Sequence, residues 1–561
     1  MKDSLNSYTR GPTDTALLTL TIGDMFDQTV AQYPDNPALI VPHQNIRWSY
    51  RELQQQVNQC AKAMISLGIE QGDRVGIWSP NNAQWCISQL ATAKIGAILV
   101  TINPAYRLHE LEYALNHSQC SYLIAADKFK DSNYSMMLQQ LLPELNDYPP
   151  ASKCTLQSAT IPSLKTVITL AESATKGMLP WQQLLGLAEE VSEQQLRRRQ
   201  ASLNCKEAIN IQYTSGTTGA PKGATLSHYN ILNNGRFVAE NQKLSSADKL
   251  VIPVPLYHCF GMVMGNLGCL TQGATMIYPG EGFNAAEVLL ALEQEQATAL
   301  YGVPTMFIAL LQHPDFSSFN LSSLRTGIMA GASCPIEVMK RVIKKMHMDE
   351  VQIAYGMTET SPVSSQTCAN DPIEKRVSSV GRTHPHLENK IISANGELVP
   401  RGQIGELCTR GYSVMLGYWN NPEASNQAID GNGWMHTGDL ARMDEEGYIS
   451  IVGRDKDMVI RGGENIYPRE IEEFLYRHPA IADIQITGVP DLKYGEELVA
   501  WIILKPDTEV SEAELRKFCQ GQISHFKIPR YIKFTDSFPM TVTGKIQKFK
   551  MREISTAELE L

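Results

Sequence analysis

Between Tyr213 and Gly223 the chain reads Tyr-Thr-Ser-Gly-Thr-Thr-Gly-Ala-Pro-Lys-Gly, directly after an apolar run. Gly216 and Gly219 let the backbone turn tightly and approach a ligand closely. The N–H groups of such a turn make an anion nest. The hydroxyls of Thr214, Ser215, Thr217 and Thr218 add donors, and Lys222 adds a point charge. Together these suit a polyphosphate. The common GxxxxGK[ST] arrangement is absent, because Gly223 follows Lys222. On composition alone, an ordinary Ser/Thr/Gly turn is the competing reading.

Six further strings follow in order. They are Ala330-Gly331-Ala332-Ser333, Tyr355-Gly356-Met357-Thr358-Glu359-Thr360, Thr437-Gly438-Asp439, Gly453-Arg454, Arg461-Gly462-Gly463-Glu464 running on to Pro468, and Pro539 to Ile546 around Lys545. With the loop, they resemble the ordered motifs of the adenylate-forming superfamily: acyl- and aryl-CoA synthetases, peptide-synthetase adenylation domains and luciferases. The resemblance runs over about 214–548.

That resemblance implies roles for these residues. The backbone of Gly331, Ala332 and Ser333 lies against adenine, and Tyr355 offers the base an aromatic face, followed by Gly356 and Met357. Thr358 donates to a phosphate oxygen. Glu359 is a hard oxygen ligand suited to Mg²⁺. Asp439 accepts both ribose hydroxyls, and Arg454 lies near the ribose and α-phosphate. Gly462, Gly463 and Glu464 form the loop that serves coenzyme A, and Lys456 matches the hinge. Lys545 holds the substrate carboxylate against the α-phosphate, which is catalysis by positioning and electrostatics. Taken alone, each of these side chains has a plainer reading as a core tyrosine, a solvated carboxylate, a turn cap or a surface lysine.

His258, in Pro255-Leu-Tyr-His-Cys-Phe-Gly261, resembles the residue lining the acyl carboxyl end. A lone histidine in an apolar run is otherwise a core residue. Cys259 to Gly265, Ile328, Met329 and Ala354 flank the site by family position and are apolar, which fits a hydrophobic tail. Over its whole length the chain resembles bacterial medium-chain fatty acyl-CoA synthetases. The implied co-substrates are ATP and coenzyme A, with Mg²⁺ as the metal. The substrate carboxylate is itself the nucleophile, so no Ser-His or Cys-His arrangement is required.

The elements that must hold these residues alternate. The runs 73–79, 97–102, 208–213, 274–279 and 325–330 read as strands, and 81–96 as a helix. Asn284 and Glu287 suggest a capping box opening another helix. Alternation of this kind predicts α/β layers with buried sheets. From about Gly453 the order is helix, strand, strand, helix, the last opening on Ser511 and Glu514. The expected organisation is a large multi-layer adenylation domain, 1–455, with a small mobile α+β lid, 456–561. The polar stretch 129–165 reads as a surface excursion. The apolar run from Leu250 to Ala274, broken by Pro253, Pro255 and several glycines, reads as core and loop, not as a membrane helix.

A chain of 561 residues exceeds a single core. Its net charge of −10 argues against nucleic acid as the main partner. The 11 scattered cysteines lack C-x-x-C spacing, and no apolar leader is evident, so reduced thiols and a cytoplasmic location are expected. No transmembrane segment is expected, although a fatty-acid substrate allows transient membrane contact. Oligomeric state, including a homodimer, is left open. The function expected is a fatty acid–CoA ligase. The alternatives are an aryl- or other carboxylic acid–CoA ligase, a stand-alone enzyme loading a carrier protein, and a catalytically dead binding protein on the same fold. The presence of both Lys545 and Glu359 argues against the last.

Overall fold

The computed structural model describes residues 6–149, 155–172, 175–214, 221–462, 464–541 and 544–561. Among these, an eight-stranded and a nine-stranded sheet form the bulk of the large unit. In the first, Met178–Pro180, Thr166–Thr169, Tyr122–Ala125, Arg74–Trp78, Ile98–Ile102 and Ala208–Thr214 run parallel. Lys222–Ser227 and then Gly417–Tyr418 complete its antiparallel edge. In the second, Thr326–Ala330 and Glu350–Gly356 lie side by side in a parallel core. Strands buried on both faces read as continuous apolar runs, which is why 98–102 and 326–330 have no polar alternation.

Helix ends follow local chemistry. Ala83–Ile95 is capped by Asn82 and stops at Gly96, whose φ of 75° suits a glycine. Ala285–Gln294 starts at Asn284, whose side chain accepts the Glu287 N–H at 3.2 Å, giving one half of the expected box. Glu512–Cys519 has the full box, Ser511 with Glu514.

Two expectations are corrected. The stretch 129–165 is not merely a surface excursion. It contains the helix Tyr134–Leu141, and Tyr134, Leu138, Leu142, Leu145, Ile161 and Leu164 are buried in one core cluster; residues 150–154 lie outside the described ones. The run Leu250 to Ala274 is core, but much of it is helical: Phe260–Leu267 winds as a π-helix and Gly268–Gln272 continues it. A glycine of the neighbouring helix lets it pack closely: a Cβ on Gly235 would stand 2.8 Å from the Val263 carbonyl oxygen.

A five-stranded antiparallel sheet containing Gly405–Gly411, Met435–Met443 and Ile449–Arg454 ends the large unit. From Val459 onward, the strands Val459–Arg461, Glu464–Ile466, Ile481–Asp491, Gly495–Leu504 and Tyr531–Phe534 pair, among the described residues, with one another alone. This second unit has its own apolar cluster, with Ile471, Leu475, Ile484, Leu498 and Leu515 buried. Among the described residues no helix is long and apolar enough to cross a membrane. The described cysteines are free thiols, and all but Cys205 and Cys368 are buried.

Candidate active site

The loop residues Ser215, Gly216, Thr217, Thr218 and Gly219 lie outside the described residues, as does Gly463. The two strands that carry the loop fix its ends, since Thr214 pairs directly with Lys222. The Thr214 hydroxyl donates to Glu359 Oε1 at 3.2 Å, and the Tyr418 hydroxyl donates to the same oxygen at 2.8 Å. Tyr418 also lies under Lys222, whose Nζ is 5.1 Å from the ring centroid. Glu359 itself is buried on the short turn Thr358–Thr360. Two donors on one oxygen orient the carboxylate. An oriented, buried carboxylate of this sort fits a hard divalent cation such as Mg²⁺.

A second group joins two sheets. Tyr355, at the end of Glu350–Gly356, donates its hydroxyl to Asp439 Oδ2 at 2.6 Å. Arg454, directly across the ladder from Asp439, places Nε 3.3 Å from Oδ1. Burial raises the Asp439 pKa, opposed by the Arg454 charge and the Tyr355 bond. Burial likewise raises the Tyr355 pKa, so its hydroxyl stays protonated as a donor. Gly356 has no space for a side chain, because a Cβ would lie 1.7 Å from the Pro362 carbonyl oxygen. After strand Thr326–Ala330 the chain turns at Gly331, with φ 85°, and Gly331, Ala332 and Ser333 are exposed.

Lys545 reaches this cleft from the second unit. A Cβ on Gly331 would stand 3.6 Å from its Cε. Neighbouring Gly544 is held by the Thr305 hydroxyl, which donates to its carbonyl at 3.2 Å. Lys545 is exposed. The surrounding protein nonetheless lowers its pKa, first through lost hydration and then through the Arg454 charge, with Glu359 and Cys259 acting in the opposite sense. His258 is pushed down to about 3, chiefly by burial and secondarily by Lys545. It is therefore neutral at ordinary pH, and its ring lies 4.2 Å from that of Tyr257.

Below His258, Cys259 Sγ donates to Gln212 Oε1 at 3.2 Å, and the Gln212 amide donates to Asn210 Oδ1 and contacts Met262 Sδ, each at 2.9 Å. Cys259, Met262, Ile328, Ala330 and Ala354 share one apolar cluster. Met329 does not: alternation along its strand sends it to the opposite face, into another core. The structure does not bring Gly462 and Glu464 to the cleft. Gly462 donates its N–H to the Tyr494 carbonyl at 2.8 Å within the second unit, and Glu464 is exposed. Lys456 is exposed on the turn Asp455–Asp457 between the units. Sequence reasoning missed Tyr418 and Gln212. Gln212 is signalled as a polar side chain within a buried strand, whereas Tyr418 lies on a two-residue strand that carries no such signal.

The model of the AMP-binding enzyme family matches residues 26–419, and that of its C-terminal domain matches 470–545. The chain belongs to the AMP-binding enzyme family. Among members, the Bacillus subtilis protein YngI, named provisionally as an acyl-CoA synthetase, is 51% identical over 96% of this chain and 97% of its own. The medium-chain acyl-CoA ligase ACSF2 of Rattus norvegicus mitochondria is 43% identical over 99% of this chain and 91% of its own. The anthranilate CoA ligase AuaEII, solved with anthranoyl-AMP, superposes with a TM-score of 0.85 at 27% identity, covering 98% of this chain and 99% of that one. The large and small units of this AMP-binding enzyme follow that adenylate-forming architecture.

Proposed function

We propose that this protein is an ATP-dependent fatty acid–CoA ligase that favours medium-chain acids and works through an acyl-adenylate. The observation that carries the reading is Lys545, delivered by the small unit to the cleft where Gly331, His258 and Glu359 converge. In the first half-reaction the acid's carboxylate attacks the α-phosphorus of ATP and pyrophosphate leaves. In the second, the thiol of coenzyme A attacks the acyl carbonyl and AMP leaves.

Each residue has a proposed part. Lys545 offsets the negative charge of carboxylate and α-phosphate as they approach. Asp439, steadied by Tyr355 and Arg454, accepts the ribose hydroxyls, and the open backbone at 331–333 takes the adenine. The loop 214–222 and Thr358 hold the phosphates. Glu359 would hold Mg²⁺, which when bound neutralises phosphate charge. Neutral His258 and Cys259 line the carboxyl end, and Ile328 and Ala354 the tail. Gly462, Gly463 and Glu464 serve coenzyme A after the lid, 456–561, rotates about Lys456 against 1–455. A cytoplasmic location is part of the same reading.

The medium-chain preference is supported by the ACSF2 relatives. The likeness to AuaEII favours a second reading, an aryl acid–CoA ligase. Thioester formation, measured as kcat/KM from acetate to stearate with benzoate and anthranilate alongside, separates them. A graded optimum at medium chain length is expected, since each buried CH₂ contributes about 0.8 kcal/mol. A preference for the aromatic acids would reverse the choice.

A further inference from the structure

Away from the carboxylate expected to hold magnesium, three side chains with metal-binding atoms meet on the five-stranded sheet. Glu406 and Cys408 lie on strand Gly405–Gly411, and His436 lies on Met435–Met443, paired directly with Cys408. The donor atoms of all three fall within 4.8 Å of one another. His436 Nδ1 is 2.9 Å from Glu406 Oε2 and 3.7 Å from Cys408 Sγ. A tetrahedral cation bound at ordinary Zn–S and Zn–N/O lengths requires donors roughly 3.3–3.8 Å apart. The His436–Cys408 pair already has that spacing, His436 and Glu406 stand closer as a hydrogen-bonded pair, and two paired strands fix Cys408 and His436 against each other.

We propose that Glu406, Cys408 and His436 bind a borderline-soft divalent cation, Zn²⁺ being the natural choice for one thiolate, one imidazole and one carboxylate. The fourth position falls to water, since Glu406 and His436 are partly open to solvent while Cys408 is buried. On binding, Cys408 releases its thiol proton to solvent and Sγ, Nδ1 and Oε2 coordinate. The imidazole proton then resides on Nε2. Glu406 Oε1 keeps its other task, accepting the Gly438 N–H at 3.1 Å. The site therefore staples the turn before Asp439 without displacing it. Lys390, packed on Trp434, and Arg410 are the nearby cations that oppose binding, and Asp430 favours it.

Cobalt reports the ligands directly. Chelator-treated full-length protein titrated with Co²⁺ is expected to show a thiolate-to-cobalt absorption band and strong tetrahedral visible bands. These should saturate at one equivalent per chain and be displaced by Zn²⁺. Cys408→Ser should abolish the thiolate band, Glu406→Gln should weaken binding about tenfold, and Cys368→Ser, altering an exposed thiol elsewhere, should change nothing. Zn²⁺ in excess should raise the thermal midpoint by about 3 °C in the parent protein and in Cys368→Ser but not in Cys408→Ser. Should Cys408→Ser fail to fold, the Glu406→Gln comparison carries the test. Absence of a thiolate band in the parent, its persistence in Cys408→Ser, or unchanged Co²⁺ affinity in Glu406→Gln would overturn the proposal.

Discussion

Single side chains divide the labour at the cleft. Lys545→Ala removes a positive charge that the small unit brings to the cleft, so on the proposed reading pyrophosphate exchange should fall about 10²–10³-fold, as when an electrostatic donor is lost. Thioester formation from supplied acyl-AMP should stay within a few-fold of normal. Equal loss of both steps in a folded variant would contradict the assignment. Tyr418→Phe tests a different point. Its hydroxyl and that of Thr214 converge on one Glu359 oxygen, so removing it loosens the carboxylate. The Mg²⁺ concentration giving half-maximal adenylation should rise about tenfold, with KM for the fatty acid little altered.

Elements impose tolerances that single side chains do not reveal. Helix His228–Asn241 crosses the π-helix at Gly235, and the same helix holds Val363 through both ends of the Asn234 amide, at 2.8 and 3.0 Å. Gly235→Val should force the two helices apart and cost about 1–3 kcal/mol, read as a lowered denaturant midpoint with an unchanged slope. Much of this architecture was legible beforehand. The strand 208–213, the helix read over 81–96 and found at Ala83–Ile95, and the Ser511 box are written in local chemistry: apolar runs, caps and a terminating glycine. What escaped was non-local. Glycines disguise the helical winding after Phe260, although one of them serves close packing: a Cβ on Gly268 would stand 3.4 Å from the Gly235 carbonyl oxygen of a distant helix. Tyr418 reaches Glu359 only because its short strand pairs with Lys222–Ser227, nearly two hundred residues earlier in the chain. Nothing in the sequence around Tyr418 announces that partner.

At the scale of the molecule, buried imidazoles set an acid limit. His228 and His384 are buried, and both are pushed down to about 3 by burial. His228 Nδ1 accepts the Ile22 N–H at 3.2 Å, which a protonated ring cannot do. Each would titrate near 6.5 when unfolded. The unfolded chain therefore takes up protons that the native one refuses. Stability is full above pH 6.5 and falls on acidification, by up to about 1.4 kcal/mol per pH unit for each ring. Urea midpoints at pH 7.5 and 5.5 should differ accordingly, and His228→Gln should flatten the dependence if it folds. A midpoint that held steady or rose toward acid would refute the account.

The Thr305–Gly544 clasp has a temporal consequence. While it is closed, Lys545 lies beside Gly331, and Gly462 is bonded to Tyr494 of its own unit. On the proposed reading, an incoming thiol needs the clasp open, and opening withdraws the charge that the first displacement needs. Catalysis on this frame is a sequence of commitments: the first leaving group departs before the last reactant arrives, so in the absence of coenzyme A one turnover per molecule should discharge and then stall.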